Sequence, residues 1–251
     1  MPFSKPHLVP PGARVPHVYG WEHLVYLAVF LIIAVGSLVY IYKKVKDERT
    51  VDIVVRCVGG VLLAAILANR ISLIWFYSTP LALIPNTFCG VTSLVFGICT
   101  LFCKRGHLVY HYLVYAGFWG GAIATFYPNF VVQDVSFMYP PTITGLMHHT
   151  LSMYLAVLMV MTGFFKPELK RFYAYPIGFC LIMCYGILLV DAFHYTESMY
   201  IFAPLVPGTF LTWYVVGPAL VLANLGLVVL YEKVIAPKIL KKKEQAAEQA
   251  S

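Results

Sequence analysis

Seven stretches of about twenty residues are nearly free of charge, and they constrain this chain more than any other feature. They run over residues 24–42, 53–75, 83–103, 107–126, 144–165, 174–193 and 211–235. A helix needs about 20 mostly apolar residues to cross a bilayer, and inside lipid it must satisfy its own backbone. Barrel strands would alternate apolar and polar over about ten residues, and these runs are longer and continuous. The expected fold is therefore all-α: a polytopic bundle of seven transmembrane helices over 24–235. A tail over 1–23 precedes it and a basic tail over 236–251 follows. Composition agrees, with 60% hydrophobic and only 12% charged residues. A soluble domain carries about 25% charged residues, so a soluble enzyme, a disordered chain and a secreted disulfide scaffold are excluded.

The cations set the expected orientation. Lys43, Lys44, Lys46 and Arg49 separate the first two spans, Lys104 and Arg105 the third and fourth, and Lys166, Lys170 and Arg171 the fifth and sixth. Lys233, Lys238, Lys241, Lys242 and Lys243 follow the seventh. The remaining connections, around Ser78, Gln133 and Thr196, contain no Lys or Arg, and the N-terminal tail has only Lys5 and Arg14. The positive-inside rule places the N-terminus outside and the C-terminus in the cytoplasm. Trp21, Trp75 and Trp213 then fall at the outer boundary, where amphipathic rings settle. The location expected is the plasma membrane. The uncharged outer connections, with Tyr127, Pro128, Phe137, Tyr139, Pro140 and Pro141, are expected to pack on the bundle mouth.

All six cysteines, Cys57, Cys89, Cys99, Cys103, Cys180 and Cys184, lie within spans, so a disulfide framework is not expected. His-Leu-Val-Tyr occurs at 23–26 and again at 107–110, a faint sign of an inverted repeat. No metal-ligand spacing and no glycine-rich nucleotide loop stands out, so neither a metal nor another cofactor is expected. The basic residues are explained by topology, and nucleic acid is not implied.

Ionisable groups within a membrane are costly and usually functional. The expected topology brings many of them to one depth of the outer leaflet. They are Asn69 and Arg70 from span two; Asn86, Thr87 and Cys89 from span three; His148 and His149 from span five; and Asp191 and His194 from span six, with Glu197 just beyond. Arg56 and His111 are the main polar residues of the inner half, Arg56 suited to snorkelling and His111 to packing. A thiol becomes a nucleophile when a neighbour takes its proton, and an imidazole suits that task. Asp191 has two roles open to it: orienting the imidazole, as in catalytic triads, or pairing with Arg70. Arg70, Asn86 or the Thr87 hydroxyl can stabilise an oxyanion or hold a phosphate. Adjacent helical histidines point about 100° apart, so only one of His148 and His149 is expected to face the interior.

Several short motifs resemble those of YwaF-like integral membrane proteins. Pro85-Asn86-Thr87-Phe88-Cys89 is similar to that family's Pro-x-polar-x-Cys motif. Tyr127-Pro128-Asn129-Phe130 resembles its Thr-Pro-Asp-Leu segment. His149-Thr150-Leu151, with Lys166-Pro167 a helix later, is similar to its His-(small)-Leu helix that ends in Arg-Pro. Tyr200, seven residues before Pro207, matches the spacing of its Asn-Tyr…Lys-Pro stretch. The resemblance runs over about 83–231. Thr87 stands where the family commonly has His or Gln, and Met199 where it commonly has Asn. The resemblance implies a compact seven-helix bundle. Eukaryotic relatives look like plasmalogen-type lipid acyltransferases that use a Cys and a His, and more distant ones like hydrolases of fatty-acid esters. It implies Cys89 as the acyl-accepting nucleophile and His149 as its general base, with His148 as the fallback.

The expected function is thus a lipid acyltransferase or esterase acting on acyl groups of phospholipids in the outer leaflet, with membrane lipids as partners. Its catalytic candidates are Cys89, His149, His148 and Asp191, and its substrate-binding candidates are Arg70, Asn86, Thr87, His194 and Tyr200. A small-molecule or ion transporter, and a non-catalytic subunit of a membrane complex docking through Lys238–Lys243, remain open. A bis-histidine haem site fits poorly, because His111 lies at the opposite depth from His149 and His194.

Overall fold

A computed structural model describes residues 19–128, 131–132, 137–205 and 208–238. Asn129, Phe130, Gln133, Pro207, Lys241, Lys242, Lys243 and most of both tails lie outside the described residues. Among the described residues there are seven α-helices: α1 (Trp21–Lys44), α2 (Glu48–Tyr77), α3 (Phe88–Phe102), α4 (Tyr110–Phe126), α5 (Pro140–Met161), α6 (Ala174–Phe193) and α7 (Trp213–Leu230). Five helical segments are long and apolar enough to cross a bilayer, built on α1, α2, α5, α6 and α7. The helix α3 is apolar but has only 15 residues, and α4 has 17.

Local chemistry explains where the helices depart from the apolar runs. Asp47 accepts a hydrogen bond from the Thr50 amide, and this N-cap starts α2 at Glu48, a turn before its apolar run. Span three, expected from residue 83, starts as a helix only at Phe88. Pro80–Leu83 forms a 3₁₀ turn, and Pro85 holds the residue before it extended. Thr87 then caps α3 by accepting from the Gly90 amide at 3.2 Å, a bond worth about 1 kcal/mol. Pro140 and Pro141 occupy the first turn of α5, where a missing amide hydrogen costs nothing.

The helix α4 is the axis of the bundle. Every residue from Tyr110 to Gly117 is buried, as expected of a helix covered on all sides. It packs on α3, α5 and α6, and α5 also packs on α1, α2 and α3. Lipid tails are as apolar as a leucine core, so close van der Waals fit holds such helices together. Small residues supply that fit. A Cβ at Gly121 would stand 2.5 Å from the His149 carbonyl oxygen, so α4 and α5 touch backbone to backbone there. The outer faces of α1 and α6 are apolar yet exposed, with Ile32 73% and Leu181 65% accessible, as lipid-facing residues should be.

At the basic end of the bundle, Arg105 pairs with Asp52 at 2.7 Å and with Glu48 at 3.4 Å, tying the α3–α4 turn to the start of α2. Arg56 does not reach outward. It donates to the carbonyls of Leu101 and Cys103 and so closes the C-terminus of α3. His111 packs its ring against Phe165, 4.7 Å between centroids. At the opposite end, Val131 and Phe137 are buried with Leu146, so the described part of the α4–α5 connection packs on the bundle mouth.

Candidate functional site

The polar candidates converge at the end of the bundle where α2 finishes and α3 and α5 begin. Cys89 is the second residue of α3, in the turn capped by Thr87. A helix N-terminus carries partial positive charge, so an anion formed there is stabilised. The sulfur faces Gly120 of α4: a Cβ there would stand 3.0 Å from Sγ. Gly121 is the residue that lets α5 close in beside His149. The Gly120–Gly121 pair therefore admits Cys89 from one side and His149 from the other.

Two cavities meet at this point. The first, of about 300 Å³, is lined by Asn69, Arg70, Asn86, Thr87, His148, His149 and Tyr200 among others. The second, of about 90 Å³, is mostly apolar and is lined by Phe88, Cys89, Trp119, Gly120, Trp213 and Leu220. Thr87, His149 and Tyr200 line both. Cys89 and His149 share the second cavity without a direct hydrogen bond, and His149 Nδ1 has no protein partner. Such contacts often tighten only when substrate is bound.

The two histidines do not diverge as expected. Both are buried, and their rings stack with centroids 4.1 Å apart and planes at 34°. Bending of the side chains overrides the 100° step of the backbone. His148 Nδ1 bonds the Ser93 hydroxyl at 3.1 Å, and Ser93 bonds Ser152 at 2.9 Å. Sequence reasoning missed these serines. A signal existed, since Ser93 follows Cys89 by four residues and Ser152 follows His148 by four, on the same helix faces.

Arg70 is only 6% exposed, and among the described residues no carboxylate pairs with it. Its Nη2 donates to Asn69 Oδ1 at 2.7 Å, while its Nε has no protein partner. Asn69 in turn donates to the Pro141 carbonyl and to Thr144, both at 3.2 Å, which fixes the pair against α5. A Cβ at Gly90 would lie 3.9 Å from Arg70 Nη2, so the guanidinium sits beside the first turn of α3. A buried cation next to a helix N-terminus makes this corner strongly electropositive.

Residues 195–203 fold over the start of α3. Tyr195 donates to the Leu81 carbonyl at 2.8 Å. The Met199 amide and the Ser198 hydroxyl both donate to the Asn86 carbonyl, at 3.0 and 3.2 Å. Met199 and Tyr200 hold left-handed backbone, with φ of 55° and 56°, a conformation that neighbouring contacts must enforce. Glu197 supplies many of them: its carboxylate accepts from the amides of Ser198, Ile201, Phe202 and Ala203. Burial raises the Tyr200 phenol above its ordinary pKa of 10.0, so it stays a hydroxyl.

Asp191 and His194 do not join the site. Helix α6 buries Ile182, Gly186 and Leu189, and Asp191, two residues past Leu189, points about 200° away. Both side chains are exposed, and Asp191 pairs neither with Arg70 nor with an imidazole. Of the nine candidates, Cys89, His149, His148, Arg70, Asn86, Thr87 and Tyr200 are the ones brought together.

No curated protein and no solved structure matches the chain in comparison. The model of the TMEM164 family matches residues 18–231. Together with the apolar helices, that match over most of the sequence shows that the chain is a multi-pass integral membrane protein and belongs to the TMEM164 family.

Proposed function

We propose that this protein is a lipid acyltransferase or esterase that works on phospholipids through Cys89 and His149. The carrying observation is that one imidazole, His149, stands in the shared wall of a polar cavity and an apolar one, with the Cys89 sulfur in the apolar one. A phospholipid ester has the same division, with a charged headgroup, an acyl chain and the reactive carbonyl between them. The resemblance to YwaF-like proteins and to plasmalogen-type acyltransferases supports the same assignment.

In the first step the His149 imidazole takes the Cys89 proton and the thiolate attacks the acyl carbonyl. The ester C–O bond breaks, the alkoxide of the lysolipid takes the proton back from the imidazolium, and the acyl group remains on Cys89 as a thioester. In the second step an acceptor hydroxyl gives its proton to His149 and its oxygen attacks the thioester. The C–S bond breaks and the thiolate recovers the proton. A lysolipid acceptor makes the protein a transferase; water makes it an esterase. Arg70, oriented by Asn69 and with no protein partner at Nε, holds the headgroup phosphate in the polar cavity. His148, anchored by Ser93, supports the ring of His149.

All seven helices cross the bilayer in this reading. The short helices α3 and α4 are covered by longer neighbours, and the ends of α3 are closed by the Pro80–Leu83 turn and the Arg56 cap. The basic end is cytoplasmic and the site opens toward the outer leaflet of the plasma membrane.

The test is acyl transfer by protein reconstituted in nanodiscs, with a phospholipid donor and a lysophospholipid acceptor, followed by lipid mass spectrometry. The wild type should transfer acyl groups and carry a hydroxylamine-labile acyl mass on the peptide holding Cys89. Cys89→Ala should remove both signals. Transfer that persists in Cys89→Ala and in His149→Ala, or solute flux into vesicles that survives Cys89→Ala, overturns the assignment.

A further inference from the structure

The apolar cavity beside Cys89 is shallow. Along α7 its lining runs from Trp213 to Leu220, about two helical turns or 10 Å. An acyl chain in one leaflet occupies about 15 Å, half of the hydrocarbon core. A second apolar cleft, of about 260 Å³, continues along the same seam. Its lining runs from Asn224 through Leu227 and Val228 of α7 to Ile235 just beyond it, with α4 and α5 supplying the facing walls. From Trp213 to Ile235 the seam is about 33 Å long at 1.5 Å per residue.

A hydrogen bond joins the linings of the two spaces. Trp119, which lines the cavity beside Cys89, donates its indole N–H to Asn224, which lines the cleft, at 3.1 Å. Asn224 is 1% exposed and also donates to the Leu220 carbonyl at 2.8 Å. A buried amide in so apolar a helix is costly unless bonded, and this one is spent on pinning an indole across the seam. Past the bond, α7 ends in a π-helical turn, Tyr231–Ile235, and that turn lines the far end of the cleft. Such turns are frequent at functional sites.

We propose that the acyl chain carried by Cys89 runs past the Trp119–Asn224 pair into this cleft, and that the pair and the cleft together set the chain length accepted. The proposal rests on the acyl-transfer assignment. The occupant is the chain itself, because the cleft continues the cavity at the sulfur and the combined length exceeds what one acyl chain needs.

Two measurements test it. In the first, wild-type protein in nanodiscs is photolysed with a phosphatidylcholine bearing a terminal diazirine on a long acyl chain, and the adducts are mapped by mass spectrometry. Adducts at the α7 residues of the cleft, Leu227 or Val228, are expected; adducts confined to lipid-facing α1 and α6 overturn the path. In the second, Leu227→Trp and Ala156→Phe narrow the cleft from its mouth and from its wall. Each should lower the ratio of stearoyl to octanoyl transfer by at least about tenfold, since each lost methylene contact is worth about 0.8 kcal/mol. An unchanged ratio overturns the proposal. If the wild type transfers neither chain, the acyl-transfer assignment fails instead, and the adduct map still reports whether a chain enters the cleft.

Discussion

The His148 and His149 rings lie against each other, 4.1 Å between centroids and tilted by 34°, yet only His149 reaches the cavity that holds Cys89. The partner ring is tied through Nδ1 to Ser93 and faces the polar cavity alone. In the proposed reaction these neighbours in sequence divide into a reacting ring and a supporting one. Replacing His149 by Ala should lower acyl transfer by about 10²–10⁴-fold, the usual worth of a general base. His148→Ala should cost only about tenfold, the scale of one lost positioning contact of about 1 kcal/mol. Initial rates for the two variants decide this, and equal losses would mean that the rings share the task.

The two glycines of α4 should separate reactivity from stability. Gly120→Ala puts a methyl 3.0 Å from the Cys89 sulfur, and the sulfur must give way. A displacement of about 1 Å can cost 10² in rate, so transfer and alkylation of Cys89 by a lipophilic maleimide should both fall while melting changes little. Gly121→Ala instead meets the His149 carbonyl oxygen and the Met153 amide nitrogen, at 2.5 and 2.8 Å. Backbone cannot yield as a side chain does, so this variant should lose about 1–3 kcal/mol of stability. Melting in detergent, set beside the alkylation rate, checks the contrast.

Glu197→Gln should loosen the segment over the site. Its carboxylate serves four amides, and a neutral amide has only one oxygen to offer them. Loss of charge-assisted bonds of this kind costs about 1.5–3 kcal/mol. Hydrogen exchange of the Ile201 and Ala203 amides should quicken, with the interior of α4 unaffected. Protection equal to wild type would mean that Tyr195, and Trp213 whose indole N–H donates to the Met199 carbonyl, hold the segment without it.

Acid should unwind the first turn of α2. Asp47 accepts from the amide and hydroxyl of Thr50, which lowers its carboxyl below the ordinary 3.8. A depressed carboxylate stabilises the fold at pH above its ordinary value, and the contribution disappears as pH falls through the lower folded-state value. The Thr50 amide should therefore lose exchange protection below about pH 4. In Asp47→Ala it should be unprotected at neutral pH as well.

The helices were legible because lipid demands long apolar runs, and basic clusters bound them. Their ends were less so. Leu83 and Ile84 read as helix by hydropathy, but Pro85 interrupts the backbone and Thr87 restarts it. Asp191 was misplaced for a related reason: α6 is apolar on every side, so composition does not show which face turns inward. That face is set by Gly186, where a Cβ would stand 2.6 Å from Met199 Cγ. Arg70, Cys89 and the histidines were found because ionisable groups are rare in spans. Asn224 was passed over, although it is the one amide in α7, because only the fold shows that Trp119 stands across from it.

The Asn86 carbonyl receives both Ser198 and Met199, and Asn86 directly precedes the threonine that caps the nucleophile's helix. The roof of the chamber is thereby fastened to the hinge of its reactive corner. In the proposed reaction, a lipid that lifted residues 198–199 to enter would pull on the peptide just before the first turn of α3, and admission would be coupled mechanically to arming of the thiol.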